Sequence, residues 1–405
     1  MADGSAAQAA TARYGRKREA IVAAATEVLN RRGVKGMTLA LVAGQVGLIT
    51  TSVTYYFKKK EDLAAACFLG GIERLDLLVA EAARAPDVSA RLLRLLELYL
   101  DLRLRIRTGE AAAIPVFSDI RALTGPLQAS VVEAYRELFM GVRGLLAPTP
   151  KTAAAATANT QMILEQLHWL AAWLPRYDAE DFPRVRDRMH DILMHGLAVD
   201  GAAWDPASPP PLAARPAADA LRDTFLLAGT RLINQQGYRG ASVEKISASL
   251  NVTKGSFYHH HSAKDDVVVS CFHRSFDVIR GVQTAARSMA GDQWLRLSSA
   301  AAALIEFQMS EQGPLLRASA LAALPETIRE AMVEQSSRIS ERWAAMISDG
   351  IAEGSIRPVD PYIGAQMLGA TLNAAADLRV LLEGTSGRDV ADLYLRPMMM
   401  GLSRP

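Results

Sequence analysis

The sequence predicts an all-α fold made of two tandem copies of one helical unit. Long stretches, such as residues 89–107 and 328–352, combine good helix formers with apolar residues at the helical period. No segment shows the alternating pattern of a half-buried strand. An internal repeat with an offset of 204 residues divides the chain into two halves of the same plan.

The repeat is carried by identical residues at one gapless offset. The pairs are Asn30/Asn234, Gly33/Gly237, Gly36/Gly240, Ser52/Ser256, Lys60/Lys264, Asp62/Asp266, Cys67/Cys271 and Phe68/Phe272. Between the copies, residues 201–218 contain five prolines among Ala, Ser and Gly. Proline favours extended backbone and removes amide donors, so this stretch is interpreted as a semi-rigid linker.

The first helix of each copy carries an amphipathic stripe. Its members are Ile21, Ala24, Ala25, Val28 and Leu29 in the first copy, and Phe225, Ala228, Gly229, Leu232 and Ile233 in the second. A Gly-x-x-Gly turn follows, and Thr38 or Ser242 then offers a hydroxyl to cap a second helix. This second helix ends at Gly47 or Asn251, residue types that adopt the left-handed conformation.

A short polar and aromatic third helix begins about three residues later. It covers residues 50–57 in the first copy (TTSVTYYF) and 254–261 in the second (KGSFYHHH). A helix, a tight turn and a second helix form the helix-turn-helix, which presents its second helix to a DNA major groove. Val53 and Phe257 are expected to point back into the core.

These segments resemble the TetR family of repressors. The resemblance rests on the G-x-x-G-x-[ST] turn, on TKGSFYHH or TTSVTYYF, and on the K-x-D that opens the following helix. It implies helix-turn-helix domains at 15–75 and 219–279, and helical ligand-sensing and dimerisation domains at 76–200 and 280–405. Residues 1–14 are predicted to be a flexible tail.

The resemblance places the DNA-binding residues on the third helix and around it. In the first copy they are Thr38, Thr50, Thr51, Ser52, Thr54, Tyr55, Tyr56 and Lys60; in the second they are Ser242, Thr253, Lys254, Gly255, Ser256, Tyr258, His259, His260 and Lys264. Thr50, Thr51 and Tyr55, with Lys254, Gly255 and His259, are expected nearest the base edges. Ser52, Thr54, Tyr56 and Lys60, with Ser256, Tyr258, His260 and Lys264, are expected to hold phosphates.

Each copy departs from the family pattern at some positions. The family's usual tyrosine is Tyr258 in the second copy but Thr54 in the first. The usual capping hydroxyl is Thr253 in the second copy but Ile49 in the first, and the closing aromatic is Phe57 in the first but His261 in the second. We therefore expect both copies to bind DNA, and the sequence leaves open whether they contribute equally.

Charge is concentrated on the same segments. Residues 13–60 carry a balance of +8 and residues 222–264 a balance of +4, although the whole chain has a net charge of only +2. This local excess of basic residues is the electrostatic signature of nucleic-acid contact. A solvated helix face is the alternative for either segment taken alone.

Other classes of protein are disfavoured. There is no phosphate-binding glycine loop, nucleophile elbow or metal-ligand cluster, and the run His259-His260-His261 lacks the i, i+4 spacing of a helical zinc site. We therefore expect neither an enzyme nor a cofactor or metal site. Two cysteines, no signal peptide and no long apolar run indicate a cytoplasmic protein that does not span a membrane.

The last two helices of each copy are expected at 151–174 with 182–198, and at 359–382 with 388–402. In the TetR family such helices pair two chains, so here they could pair the two copies into a monomeric pseudo-dimer. A homodimer of the whole chain remains possible, as does completion of each copy's own core by these segments.

Operator DNA and a small-molecule effector are the partners that the resemblance implies. The apolar residues that could line effector cavities are Phe117, Met162, Trp169, Phe307, Met309 and Met367, with plain core as the alternative. The alternative function is a helical protein-interaction or ligand-binding module whose DNA-recognition helices have partly lost the residues that bind DNA.

Overall fold

A computed structural model describes residues 3–148, 152–210, 220–250 and 264–404. The described residues are helical apart from loops and one isolated bridge between Ala198 and Ile356. We call residues 3–200 the first lobe and residues 220–404 the second lobe. The helices of the first lobe are α1 (Asp3–Gly36), α2 (Leu39–Gln45), α3 (Thr50–Tyr56), α4 (Lys60–Ala82), α5 (Val88–Arg107), α6 (Gly125–Leu145), α7 (Ala153–Trp173) and α8 (Phe182–His195).

The second lobe repeats the early part of this order. Its helices are α9 (Ala220–Gly240), α10 (Val243–Ser249), α11 (Lys264–Arg287), α12 (Gln293–Met309), α13 (Glu326–Glu353), α14 (Pro361–Ala374), α15 (Leu378–Leu381), α16 (Gly387–Val390) and α17 (Arg396–Met400). A 3-10 segment precedes α6 at Phe117–Ala122, and another precedes α13 at Ala318–Ala323. A π-helical turn, Ala391–Leu395, joins α16 to α17.

The N-terminal segment is helical from Asp3. Residues 1–14 were predicted to be a flexible tail, but α1 begins at Asp3 and runs to Gly36. The segment is rich in alanine, the best helix former, and it continues without a break into the amphipathic part of the helix. Helical order therefore extends back from the packed part of α1 into the predicted tail.

The amphipathic stripe of α1 packs as predicted. Ile21, Ala25, Val28 and Leu29 are buried and α1 lies against α4, where Phe68 has no exposed surface. In the second lobe Phe225 and Ile233 are buried at the corresponding positions of α9. Cys67 and Cys271 are free and buried in these two cores, and burial raises the pKa of each thiol to about 11.

The two lobes pack against each other through their C-terminal helices, as the sequence suggested for a paired arrangement. In this interface α7 lies along α14, and α8 contacts both α14 and α17. Gly196 (φ 69°) and Gly401 (φ 94°) follow α8 and α17. A Cβ added at Gly196 would lie 2.3 Å from the Met399 carbonyl oxygen, and one at Gly401 would lie 2.5 Å from the His195 carbonyl carbon. Each glycine thus lets one lobe's backbone approach the other's.

Buried hydrogen bonds also cross this interface. The Gln166 amide on α7 donates to the Met367 carbonyl at 3.0 Å and to the Thr371 hydroxyl at 3.1 Å, both on α14. The Trp169 indole donates to Gln366 Oε1 at 3.2 Å. Buried donors without partners are costly, so these bonds favour one register between the lobes.

The start of the predicted linker is attached to the second lobe. Residues 201–210 have no regular secondary structure. The Trp204 indole donates to Asp392 at 2.7 Å, and the Trp294 indole donates to the Ala203 carbonyl at 2.9 Å. The linker therefore leaves the first lobe along the surface of the second.

Candidate DNA-binding surface

Helices α2 and α3 form a helix-turn-helix in the first lobe. Their axes differ by 108°, within the range of this motif. Thr38 caps α2 by accepting a hydrogen bond from the Leu41 amide at 3.2 Å, as predicted. Gly47, with φ 65°, provides the left-handed turn after α2 that a side chain would disfavour.

One face of α3 is exposed to solvent. Thr50, Thr51 and Tyr55 are exposed, and Tyr55 keeps 68% of its surface accessible. Ser52, Thr54 and Tyr56 are half-buried. Val53 has no exposed surface, which confirms its expected place in the core. This helix therefore presents the polar and aromatic face that groove contact requires.

Two of the predicted phosphate ligands have partners within the protein. The Thr54 hydroxyl donates to the Thr50 carbonyl at 2.9 Å. The Lys60 ammonium donates to the carbonyls of Val34 at 3.2 Å and Lys35 at 3.0 Å, at the end of α1. Lys60 therefore ties α4 to α1, a role that the sequence did not suggest. Ile49, which replaces the usual capping hydroxyl, leaves α3 without a side-chain cap and is 71% exposed.

The second helix-turn-helix is described up to Leu250. Ser242 caps α10 by accepting from the Lys245 amide at 3.3 Å, which matches Thr38 in the first lobe. The expected DNA ligands Thr253, Lys254, Gly255, Ser256, Tyr258, His259 and His260, and the expected core residue Phe257, lie outside the described residues. Lys264 begins α11, as predicted, but its side chain is not among the described groups.

The two DNA-binding units lie side by side, with the ends of their first helices in contact. α1 contacts α9 directly, and a Cβ added at Gly240 would lie 3.3 Å from Lys35 Nζ. The segment Phe117–Ala122 packs against α9 of the opposite lobe, and Ala318–Ala323 packs against α1. Each unit is therefore held both by its own lobe and by its neighbour.

An asparagine connects each first helix to the sensor part of its lobe. The Asn30 amide donates to the Ile114 carbonyl at 2.9 Å and accepts from the Val116 amide at 2.9 Å. Asn234 repeats this arrangement, donating to Leu315 at 2.8 Å and accepting from Arg317 at 3.1 Å. Each amide therefore uses both its donor and its acceptor to bond its first helix to another segment of the same lobe.

A charged cluster joins the two lobes at the same place. Arg121 donates to the Asn234 carbonyl at 2.6 Å and to the Asp377 carboxylate at 2.7 Å, and Arg317 also pairs with Asp377. Burial alone would raise the pKa of Asp377, but the two guanidinium groups outweigh it and hold the pKa below its usual value. Asp377 is therefore a half-buried anion shared by both lobes.

The six predicted cavity residues occupy several environments. Met162 and Met367 have no exposed surface, and Trp169 lies at the interface between the lobes. Phe117 lies 5.6 Å from the Tyr135 and His168 rings, and Arg274 lies over the Phe307 ring at 5.9 Å. The β-carbon of Met309 would be 3.4 Å from a Cβ at Gly387. Their role as effector-binding residues stays a prediction.

A cleft of about 70 Å³ lies between the ends of α1 and α9. It is lined mainly by polar residues and glycines of both lobes, including Asn30, Gly33, Asn234, Gly237 and Arg317. None of the six predicted effector-binding residues lines it. The cleft belongs to the contact between the DNA-binding units.

Two further findings concern other kinds of site. Among the described helices none is long and apolar enough to cross a membrane alone, and only α2 and α3 taken together across their bend reach that threshold. In the described part of the chain no three His, Cys, Asp or Glu side chains are placed to share a metal ion. The run His259-His260-His261 lies outside it.

Sequence reasoning missed several residues at this surface. Tyr14 was assigned to the tail, yet its ring lies 4.7 Å from Tyr56 and 6.1 Å from Tyr55. Arg121 carried no motif, because its partners are 113 and 256 positions away. Asn30 and Asn234 were visible as a repeated pair, and that identity was the available signal.

A helix-turn-helix with an exposed polar and aromatic second helix, attached to an all-helical domain, defines a DNA-binding regulator of transcription. A sequence profile described as "Bacterial regulatory proteins, tetR family" matches residues 21–67 and again residues 225–271. A second profile, "Tetracyclin repressor-like, C-terminal domain", matches residues 290–377. Both DNA-binding units, together with residues 290–377 of the second lobe, therefore match models of the TetR family of bacterial regulators.

Known proteins match about one half of the chain. The HTH-type transcriptional repressor DhaR of Mycobacterium sp. (strain GP1) is 29% identical over 183 residues, which are 43% of this chain and 88% of DhaR. The regulator PfmR of Thermus thermophilus is 20% identical and superposes with a TM-score of 0.39, covering 44% of this chain and 99% of PfmR. AibR, solved with isovaleryl coenzyme A and operator DNA, is 20% identical with a TM-score of 0.38, covering 45% of this chain and 97% of AibR.

Proposed function

We propose that this regulator is a repressor that binds one operator as a single chain and is released by a small molecule held among its sensor helices. The observation that carries the proposal is the packing of α7 and α8 against α14 and α17 within one polypeptide. A single TetR-like unit pairs through these helices with a second chain. Here the second lobe of the same chain takes the place of that partner. Repression is supported by the similarity to DhaR, a transcriptional repressor.

A monomeric pseudo-dimer is favoured because the pairing surface is already used. Gln166, Trp169 and Thr371 are engaged across the interface between the lobes, and Gly196 and Gly401 bring the two backbones into contact. A second chain pairing through the same helices would have to displace this buried contact. The chain mass of 43.7 kDa is therefore the mass expected in solution.

The operator is expected to have two unlike half-sites. Two-fold DNA symmetry reflects two identical readers. Here the readers differ in sequence, Thr-Thr-Ser-Val-Thr-Tyr-Tyr at 50–56 against Lys-Gly-Ser-Phe-Tyr-His-His at 254–260. Thr51 and Tyr55 favour contact with thymine methyl groups and polar base edges, whereas Lys254 favours guanine acceptors.

Effector release is expected to act through the segment Phe117–Ala122. This segment contacts α9 of the second lobe, and Arg121 within it bonds to both Asn234 and Asp377. An effector changes DNA affinity only if it binds one arrangement of the two units more tightly than the other. A ligand that displaces this segment would shift the spacing of the readers and weaken the binding of one duplex.

The direct test is selection of bound duplexes from random DNA, followed by light scattering of the free protein and of its complex. We expect two unlike half-sites about one helical turn or a multiple apart, bound by one chain, with affinity falling steeply as salt rises. A perfect inverted repeat bound by two chains would contradict the pseudo-dimer. Transcription from the selected site should rise when the protein is removed, whereas a fall would contradict repression.

The second candidate function is a helical protein-interaction module whose DNA-recognition helices have partly lost the residues that bind DNA. It is motivated by the uncapped start of α3 at Ile49 and by Thr54 in place of the family's tyrosine. Failure of the full-length chain to enrich any duplex would favour this candidate over the repressor. Sequence-specific enrichment would reject it.

A further inference from the structure

The first lobe carries a basic face beside its reading helix. Arg13 and Lys17 lie four positions apart on α1, so they share one face of that helix. Both side chains are exposed. Arg16 is also exposed, but helical geometry turns it away from this face by roughly 60–100°.

Aromatic contacts fix this part of α1 against α3. The Tyr14 ring lies 4.7 Å from the Tyr56 ring and 6.1 Å from the Tyr55 ring, and Tyr55 and Tyr56 are themselves 5.2 Å apart. One turn later, Arg18 lies over the Phe57 ring at 5.2 Å. The part of α1 that carries Arg13 and Lys17 is therefore held next to α3 by the contacts of Tyr14 and Arg18.

The second lobe lacks these residues. At the repeat offset of 204, Arg13, Tyr14 and Lys17 correspond to Ala217, Ala218 and Leu221. The repeat therefore keeps the helix-turn-helix but loses both the cations and the aromatic anchor in its second copy. This difference cannot be a requirement of the shared fold, because the second copy does without it.

We propose that the face formed by Arg13 and Lys17, positioned by Tyr14, is an additional binding surface for the DNA backbone, present at only one end of the pseudo-dimer. The inference rests on the proposed function. Two exposed cations adjoining the reading helix match the phosphates that flank a bound groove. The first lobe then contacts a longer stretch of DNA than the second, and the footprint is asymmetric.

The test compares Arg13→Ala/Lys17→Ala with Arg84→Ala/Arg136→Ala in the full-length chain. The control removes the same charge from exposed arginines after α4 and on α6, which pair with nearby glutamates. Each lost phosphate contact lowers the slope of log affinity against log salt by about 0.9. We expect the first variant to reduce that slope by roughly 2 and the control to leave it near the parent value.

Hydroxyl-radical footprinting should show where the contact is lost. The Arg13→Ala/Lys17→Ala variant should lose protection outside one half-site only, with the half-sites themselves still protected. Tyr14→Ala, which keeps both charges, should weaken protection at that same end. Thermal unfolding of each variant checks that the helix-turn-helix remains folded.

The outcomes separate this inference from the function on which it rests. If the parent binds a selected operator and the variant matches the control in slope and footprint, the additional surface is rejected alone. If protection is lost equally at both ends, the asymmetry is rejected. If the parent binds no DNA, the proposed function fails and this inference fails with it.

Discussion

Arg121 in the first lobe donates to the carboxylate of Asp377 in the second lobe at 2.7 Å. Its second guanidinium nitrogen donates to the Asn234 carbonyl on α9 at 2.6 Å, so one side chain joins a sensor segment to the opposite DNA-binding unit. Asn234 is already bonded to its own lobe through Leu315 and Arg317. The first helix of the second DNA-binding unit is therefore bonded to both lobes where they meet.

Arg121→Ala should relax the spacing that the protein accepts on DNA. The variant loses the hydrogen bond from the segment Phe117–Ala122 to α9, while stability should change by only about 1 kcal/mol because Arg121 is partly exposed. Affinity should be measured for operators with one or two base pairs added between the half-sites. We expect the parent to discriminate against them several-fold more strongly than the variant.

Arg136→Ala is the matched control for that experiment. Arg136 is exposed and pairs only locally with Glu133 on the same helix, at 2.6 Å. It should keep the spacing preference of the parent. Equal discrimination by Arg121→Ala and the parent would contradict a role for the bridge.

Asp377→Asn should lower stability near neutral pH by roughly 1–3 kcal/mol, because it leaves the half-buried Arg317 without its anion. The folded pKa of Asp377 lies below its ordinary value of 3.8, so the carboxylate stabilises the fold above about pH 3.8 and the contribution is lost as the pH falls through the lower folded pKa. The difference between parent and variant should therefore shrink below about pH 4. Urea unfolding from pH 7 to pH 3 measures it, and a difference independent of pH would contradict the prediction.

Thr51→Ala and Tyr55→Ala should each weaken operator binding while lowering the free energy of unfolding less than Val53→Ala does. Both residues are exposed on α3, so a lost base contact should cost about 1–3 kcal/mol of binding free energy. Val53→Ala provides the contrast, because Val53 is fully buried and its truncation should lower the unfolding free energy instead. Gel-shift titration and chemical denaturation of the three variants should divide them in this way. An unchanged affinity in Thr51→Ala and Tyr55→Ala would show that α3 does not read the operator.

Gly401→Ala should destabilise the contact between the lobes by more than about 2 kcal/mol. Its φ of 94° disfavours a side chain, and the new Cβ would lie 2.5 Å from the carbonyl carbon of His195. Gly369→Ala is the matched control, because Gly369 lies within α14 and a Cβ there meets nothing within 4 Å. The control should gain about 0.5–1 kcal/mol from helix propensity. Denaturant unfolding measures the free energy of unfolding of both variants. Equal stabilities would show that the close approach of the two lobes' backbones at Gly401 is not required.

The local features of the DNA-binding units were predictable because they depend on near neighbours in the chain. The stripe of α1, the caps at Thr38 and Ser242, the turn at Gly47 and the buried Val53 all follow from periodicity, capping and glycine conformation. The predicted tail is helical from Asp3, because helix formation propagates from a packed segment into neighbouring alanines. No local signal marks where that propagation ends.

By itself the sequence determined the class of fold, the duplication and the two helix-turn-helix motifs, since each depends on residues close together or at one constant offset. Only the tertiary structure decided that Arg121 meets Asp377, that Lys60 bonds to the end of α1, and that Tyr14 packs against α3. These contacts join residues that are 25 to 256 positions apart in the chain, and no periodic pattern in the sequence marks them. Their formation depends on how whole helices pack. That packing is decided by the complete surfaces of the helices and not by any short segment of sequence.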